Sequence, residues 1–448
     1  MLVLKFGGTS VGTPQRMEQV MHLIQTDPRP KVVVLSAVSG TTNNLVKYSG
    51  YWEKGDLSSA KNLLEDLRVQ YDQFIYNLLK DRVLIHEAMT YVHELWRQMA
   101  DLLSGPYSSA GEKLILAQGE LISTYLFQLL LTQNNVRSRL LPALDFMFIN
   151  DQGEPDMPRI TAASQQVLAA NPGYPLYITQ GYICTNAEGQ TDNLKRGGSD
   201  YTATILGAAL LGPEVQIWTD IDGVHNNDPR IVEDTFPVRK LSYREAAELA
   251  YFGAKILHPT CVIPTEQTNV PLRLKNTMDP DAEGTLISEE PSQQSIAAIA
   301  AKDGQTVIKI YSLRMLMAYG FLRRVFEVFE KYQIPIDMIT TSEVAVSLTI
   351  EQTPYLQQLL LDLGQYGEVE YESEHSIICI VGHDLTNQPG IAAQVLSPLA
   401  HLPVRMVSYG GSRHNISILI PTAHKVEALQ ALNKALFLNH RQNPVVEC

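Results

Sequence analysis

Cysteine is scarce in this chain of 448 residues: Cys184, Cys261, Cys379 and Cys448, none in a C-x-x-C pair. That excludes a disulfide framework and a zinc knuckle, and the apolar surroundings of three of them suit reduced thiols in the cytosol. No run approaches the roughly 18 apolar residues of a membrane span. No charged segment followed by a long apolar stretch opens the chain. A cytoplasmic protein with no membrane partner is therefore expected. Positive charge is in deficit, with 35 Lys and Arg against 48 Asp and Glu and a formal net charge of −13. Without a basic stretch, nucleic acid is disfavoured as a partner. A small anion is not, since local lysines and arginines can converge in a cleft. The first strand is followed by neither G-x-G-x-x-G nor G-x-x-x-x-G-K-[ST], which removes the dinucleotide fingerprint and the P-loop.

What is present is a globular composition, 45% apolar and 19% charged, in a chain long enough for two to four domains. Residues 1–50 alternate: a strand at Met1–Phe6, a helix at Pro14–Gln25, a strand at Lys31–Ser36. Val32-Val33-Val34-Leu35 is the continuous apolar run of a buried parallel strand. Residues 51–105, rich in Leu, Glu, Gln and Arg with almost no Gly, predict a helical insertion. Helices at Glu112–Gln133 and Ser199–Leu211 and strands at Ser138–Leu141, Pro175–Gln180 and Val215–Thr219 continue the alternation. This predicts an α/β fold, a mainly parallel sheet sandwiched by helices, over residues 1–293. The boundary is read from Asp279-Pro280-Asp281, Gly284 and Pro291. The last third repeats a βαββαβ pattern. The first α+β unit is 306–374; the second, one strand short, is completed by Ser295–Ala301 and takes 294–305 plus 375–448.

Chemistry concentrates at Lys5-Phe6-Gly7-Gly8-Thr9-Ser10, directly after Leu2-Val3-Leu4. Glycines there bare backbone N–H groups beside a fixed ammonium, which suits nucleotide phosphates; an ordinary strand-to-loop turn is the alternative. Ser36-Ala37-Val38-Ser39-Gly40-Thr41-Thr42-Asn43 leaves the second strand where open sheets bind ligands, or is a solvated turn. Gln118-Gly119-Glu120 opens an apolar helical stretch, where a Glu can merely favour the helix dipole. Arg196-Gly197-Gly198-Ser199-Asp200 is a second glycine turn at a helix start, with an arginine suited to a carboxylate. Ser199 or Asp200 is equally a helix cap. Trp218-Thr219-Asp220, His225, Asp228-Pro229-Arg230 and Phe252-Gly253-Ala254-Lys255-Ile256-Leu257-His258-Pro259 add cations to the carboxyl side of the same sheet.

In this order and spacing, these motifs resemble the signatures of the aspartate kinases, nearly end to end. The C-terminal units resemble paired ACT domains. Ser312–Leu316, Gly320-Phe321-Leu322, Asp337–Val344 and Tyr409–Asn415 resemble the lysine-sensitive, monofunctional class, with no homoserine dehydrogenase region expected behind them. The resemblance implies an amino acid kinase fold and phosphoryl transfer from Mg-ATP to the β-carboxylate of L-aspartate. It also implies a homodimer or homotetramer joined through the ACT units.

The same resemblance assigns roles. Lys5 stabilises the transferred phosphoryl group and, with Phe6, Gly7 and Gly8, binds the nucleotide, the two glycines cradling phosphate oxygens. Asp200 holds Lys5. Arg196, with Gly197, Gly198 and Ser199, takes the α-carboxylate of aspartate; Glu120 takes its α-ammonium; Ser36 and Thr42 line the turn. Thr219, Asp220, His225, Arg230, Lys255 and Ile256 hold the nucleotide. Magnesium is expected through phosphates and water, with no protein metal cage. An L-lysine effector would meet Met315, Ala318, Phe321 and Leu322 at a helix start and Pro335, Ile336, Asp337, Ser342 and Glu343 around the next strand. Lys195, His225 and Ala318 depart from the family's usual Gly, Tyr and Ser. The rivals are a kinase of the same fold acting on acetylglutamate, glutamate or a nucleoside monophosphate, and a silent amino-acid sensor, which would have lost Lys5 or Asp200. A dinucleotide-dependent oxidoreductase is excluded by its missing fingerprint.

Overall fold

Leu2–Phe6 is buried at every position, as is Lys31–Leu35, so both strands are covered on two faces and read as unbroken apolar runs. The computed structural model describes residues 1–194, 197–253, 257–292, 294–315 and 319–438. Arg196, Lys255, Ile256 and Ala318 lie outside the described residues. The chain divides into two compact units, Met1–Val224 with Ile256–Glu290, and His225–Lys255 with Pro291–Cys448. The segment from His225, read from sequence as part of the first domain, thus belongs to the second unit.

In chain order, the first unit carries β1 (Leu2–Phe6), α1 (Pro14–Leu23), β2 (Lys31–Leu35), α2 (Thr41–Glu53), α3 (Leu57–Leu78), α4 (Arg82–Leu102) and α5 (Ser109–Gln133). Next come β3 (Ser138–Leu141), α6 (Met157–Ala170), β4 (Leu176–Gln180), β5 (Ile183–Thr185), β6 (Thr191–Asn193), α7 (Gly198–Ala209) and β7 (Val215–Thr219). The segment of the second unit that follows holds β8 (Lys240–Ser242) and α8 (Tyr243–Tyr251). The first unit resumes with α9 (Ile263–Thr268), β9 (Leu272–Asn276) and β10 (Thr285–Ser288). Its main strands run β3-β4-β2-β1-β7-β9-β10. All neighbours are parallel except β9 and β10. Parallel pairing aligns the carboxyl ends of β1, β2, β4 and β7 on one edge, where ligands bind in such sheets.

The insertion is helical. α3, α4 and α5 start on Asp56, Asp81 and Ser108, whose side chains accept backbone N–H groups of Ser59, Val83 and Gly111. They pack with α2 around Tyr48, Tyr71, Ile75, Trp96 and Phe127. Contrary to the sequence expectation, α5 is long and apolar enough to cross a membrane, but most of it is buried. It is a core helix, packed on β2, β3 and β4. Glu120 therefore lies about three turns into α5, not at a helix start.

The second unit continues with β11 (Ile296–Tyr311), α10 (Phe321–Lys331), β12 (Met338–Thr341), β13 (Ala345–Glu351), α11 (Leu356–Leu363) and β14 (Glu368–Gly382). It ends with α12 (Ile391–Leu396), β15 (Met406–Tyr409), β16 (Asn415–Pro421) and α13 (Lys425–Asn433). Its sheet runs β12-β13-β11-β14-β16-β15 and is antiparallel throughout. β11 and β14 are long because each serves two halves, with register shifts between Lys302 and Val307. Ile308, Ile310, Val325 and Phe329 centre one half, and Ile378, Ile380, Ile418 and Leu432 the other.

Candidate active site

Lys5 is the next-to-last residue of β1, with a side chain 9% exposed and Nζ 2.6 Å from Oδ1 of Asp200. Asp200 stands in the first turn of α7, so the glycine turn before that helix aims its carboxylate at the strand end. Gly7 donates its N–H to the carbonyl of Trp218 on β7 at 3.2 Å. A Cβ on Gly7 would lie 3.4 Å from Lys5 Nζ, and one on Gly8 would lie 2.9 Å from the carbonyl oxygen of Ala37. These glycines therefore leave room beside the ammonium that any side chain would fill. Phe6 is fully buried and stacks on Trp218, ring centroids 5.8 Å apart.

Across the Ala37 peptide lies Glu120. Ala37 donates its N–H to Oε1 of Glu120 at 3.1 Å, while Oε2 is buried without a partner among the described residues. Burial pushes the Glu120 carboxyl up to about 8, against the lowering effects of the Ala37 N–H and the Lys5 charge. A buried carboxylate with one empty oxygen is costly unless a cation arrives. Gly119 makes this approach possible, since a Cβ there would lie 2.7 Å from Cβ of Ala37. Ser36 and Thr42 are both half-buried at the two ends of this turn. Ser123, which the sequence did not mark, donates its hydroxyl to the Ser36 carbonyl at 2.8 Å.

The turn before α7 is equally constrained. Gly197 has φ +73° and Gly198 φ +44°. A Cβ on Gly197 would lie 2.4 Å from Sγ of the buried Cys261. Ser199 is buried where a Cβ on Gly181 would lie 2.3 Å from its Oγ. Tyr182, at φ +69°, donates its N–H to Thr202 Oγ1 at 2.9 Å. Gly197→Ala is therefore expected to cost about 2–4 kcal/mol from left-handed strain plus the clash. Urea unfolding checks this: adding Cys261→Ala should restore part of the loss, and a Gly197→Ala protein as stable as the parent would contradict it.

The remaining expected nucleotide residues divide between the units. Thr219 ends β7, with its carbonyl accepting the N–H of Thr277 at 2.8 Å, and Asp220 is exposed. His225 and Arg230 belong to the second unit. His225 Nδ1 lies 3.1 Å from Thr235 Oγ1; Arg230 is exposed and clamped by Asp228, Nη2 to Oδ2 2.7 Å. Of the expected effector residues, Phe321 is buried, Met315 and Ile336 pack on the same core, and Leu322, Pro335, Ser342 and Glu343 are exposed. Asp337 does not stand open to a ligand as expected. Its Oδ1 already receives Lys302 Nζ at 2.9 Å and Tyr251 OH at 2.6 Å, and its Oδ2 is buried without a partner among the described residues. Lys302 also reaches Glu351 Oε1 at 2.6 Å and lies 4.6 Å from the centre of the Tyr251 ring.

Comparison with known proteins matches this architecture. The Amino acid kinase family model matches residues 1–276, and an ACT domain model matches 378–436. The chain belongs to the amino acid kinase family. It is 34% identical to lysine-sensitive aspartokinase 3 of Escherichia coli over 97% of this chain and 99% of that protein. It is 32% identical to chloroplastic aspartokinase 1 of Arabidopsis thaliana over 97% of this chain and 80% of that one. The crystal structure of E. coli aspartokinase III with aspartate and ADP in its R-state, 34% identical, superposes with a TM-score of 0.85 over 98% of this chain and 100% of that chain. The T-state structure with lysine and aspartate, also 34% identical, gives 0.80 over 98% and 99%. Within its family the chain is an aspartokinase, an ATP-dependent kinase with a C-terminal ACT region.

Proposed function

We propose that this aspartokinase transfers the terminal phosphoryl group of ATP to the β-carboxylate of L-aspartate, giving 4-phospho-L-aspartate, in the cytoplasm. The observation that carries the residue roles is one peptide, Ala37, flanked by the glycine turn of Lys5 on one side and the half-satisfied Glu120 on the other. The acceptor carboxylate is ionised at neutral pH, so no general base is required. The chain's work is alignment and neutralisation of charge. Asp200 holds the Lys5 ammonium where charge moves during transfer. Gly7 and Gly8 admit phosphate oxygens, and Thr219, Asp220, His225, Arg230, Lys255 and Ile256 act on the nucleotide. Glu120 takes the α-ammonium of aspartate; Arg196, Gly197, Gly198 and Ser199 its α-carboxylate; Ser36 and Thr42 line the turn. Among the described residues no group of three or more His, Cys, Asp or Glu gathers for a metal. Magnesium would come with the phosphates and supply further neutralisation. An ATP-dependent hydroxamate assay tests the reading: product with L-aspartate, and none with L-glutamate or acetylglutamate, is the expected result. Turnover of either control in preference to aspartate would overturn it.

L-Lysine is proposed as the feedback effector, acting at the first ACT-like half, with a dimer or larger assembly formed through the second unit. The E. coli relative that binds lysine supports this. Exposed Leu322, Phe326 and Ile339 beside that half support the assembly. In this chain the effector's ammonium would share Asp337 with Lys302, which already neutralises it through Oδ1. Lys302→Met is therefore expected to lower the lysine concentration for half-inhibition about 5-fold or more, by removing the internal cation. Inhibition curves at fixed aspartate and ATP check this; an unchanged or raised half-inhibition concentration would remove Asp337 from the effector site.

A further inference from the structure

We propose that Tyr71, on α3 of the helical insertion, is a positioning residue for the phosphoryl acceptor. The turn that leaves β2 is held at three points. Ser123 of α5 donates to the carbonyl of Ser36 at 2.8 Å. Ala37 donates to Glu120 of the same helix at 3.1 Å. The third point comes from the insertion: the Tyr71 hydroxyl lies 2.6 Å from Oγ1 of Thr41, at the start of α2. Thr41 precedes Thr42, so this bond fixes the helix start that carries Thr42.

The Tyr71 ring cannot swing away. It is 1% exposed, with Trp96 edge-on at 5.5 Å and Phe74 tilted at 6.1 Å between ring centroids. Burial keeps its phenol neutral across the working pH range, so it acts by hydrogen bonding. Gly40 has φ +84°, and a Cβ there would meet none of the described residues within 4 Å, so the turn reverses just before Thr41 without packing at Gly40. A glycine turn makes few side-chain contacts of its own, and Tyr71 supplies a brace beside it. The insertion is thereby part of the acceptor site's rigidity rather than an appended bundle.

This inference rests on the reading that Thr42 and Glu120 meet aspartate. The test is steady-state kinetics for both substrates in Tyr71→Phe, Thr41→Val, the double variant and Thr41→Ser. Losing this single hydrogen bond should raise the KM for aspartate about 5- to 20-fold, with kcat and the KM for ATP within about 2-fold. The double variant should be no worse than either single one, because both remove the same bond. Thr41→Ser keeps the hydroxyl and should keep the parental KM. Multiplying effects in the double variant, an equal rise in both KM values, or a parental KM in Tyr71→Phe would overturn the proposal. If Tyr71→Phe fails to fold, the contrast between Thr41→Val and Thr41→Ser decides. Glu120→Gln separates the two levels: a parental aspartate KM there sinks the acceptor reading itself. A raised one with Tyr71→Phe unaffected sinks only the role of Tyr71.

Discussion

Lys5→Ala is expected to lower kcat about 1,000-fold while leaving the dissociation constant for ATP within about 10-fold. The ammonium sits at a strand end with 9% side-chain exposure, 2.6 Å from Asp200, so its position is fixed before substrates arrive. A charge held in a water-poor site acts most on the step in which negative charge moves between oxygens, because no reorganisation is needed then. Nucleotide affinity is shared with backbone N–H groups and other cations and should fall less. Single-turnover rates together with nucleotide titration separate the two quantities. A variant that kept a tenth or more of the parental kcat would leave Lys5 as a strand-end charge. One that lost affinity and rate equally would make it a binding group only.

Glu120→Gln is expected to have two large effects of opposite sign. Aspartate should bind more weakly by roughly 2–5 kcal/mol, since its ammonium would enter a buried site with no counter-charge. ATP should be little affected. The ligand-free fold should become more stable, and increasingly so as pH rises. The sign follows from linkage. In the folded protein the carboxyl is pushed up to about 8 from 4.5, so between these values the native state binds a proton that the unfolded chain does not. Stability from this group is full below about pH 4.5 and is lost as pH rises through about 8. Glutamine has no such penalty, so the gain over the parent should be small at pH 5 and on the order of 3–5 kcal/mol at pH 9. Urea midpoints at both pH values check it, and a variant equally or less stable than the parent at pH 9 would contradict the burial argument.

The parts of this fold written in local pattern were readable from sequence. The buried strands at Leu2–Phe6 and Lys31–Leu35, the helix between them and the α+β alternation of the C-terminal third each leave a periodicity or a composition. The hairpin of β5 and β6 went unread because Ile183–Thr185 and Thr191–Asn193 are three residues each, too short for a period to show. β10 fell within the stretch read as a boundary, its Gly284 being a tight backbone approach to Leu274 rather than a linker signal. At the site, the residue types were legible and the partnerships were not. Nothing local links Tyr71 to Thr41, Ser123 to Ser36, or Cys261 to Gly197. Asp337 shows the limit most clearly. Its position in an effector-like motif was visible, but the lysine that already pairs with it lies 35 residues away on β11.

Glu120 also sets the most direct measurement of how this site takes its substrate. Because burial pushes its carboxyl up to about 8 and it must be ionised to hold an ammonium, aspartate binding at neutral pH is expected to expel a proton. Calorimetric titration of L-aspartate into the protein at pH 7, saturated with a non-hydrolysable ATP analogue, in buffers of different ionisation heat, counts that proton. The account predicts release of most of a proton per aspartate bound at pH 7, declining as pH rises through about 8 and abolished at pH 7 in Glu120→Gln. Binding of aspartate at pH 7 with no proton released would contradict it.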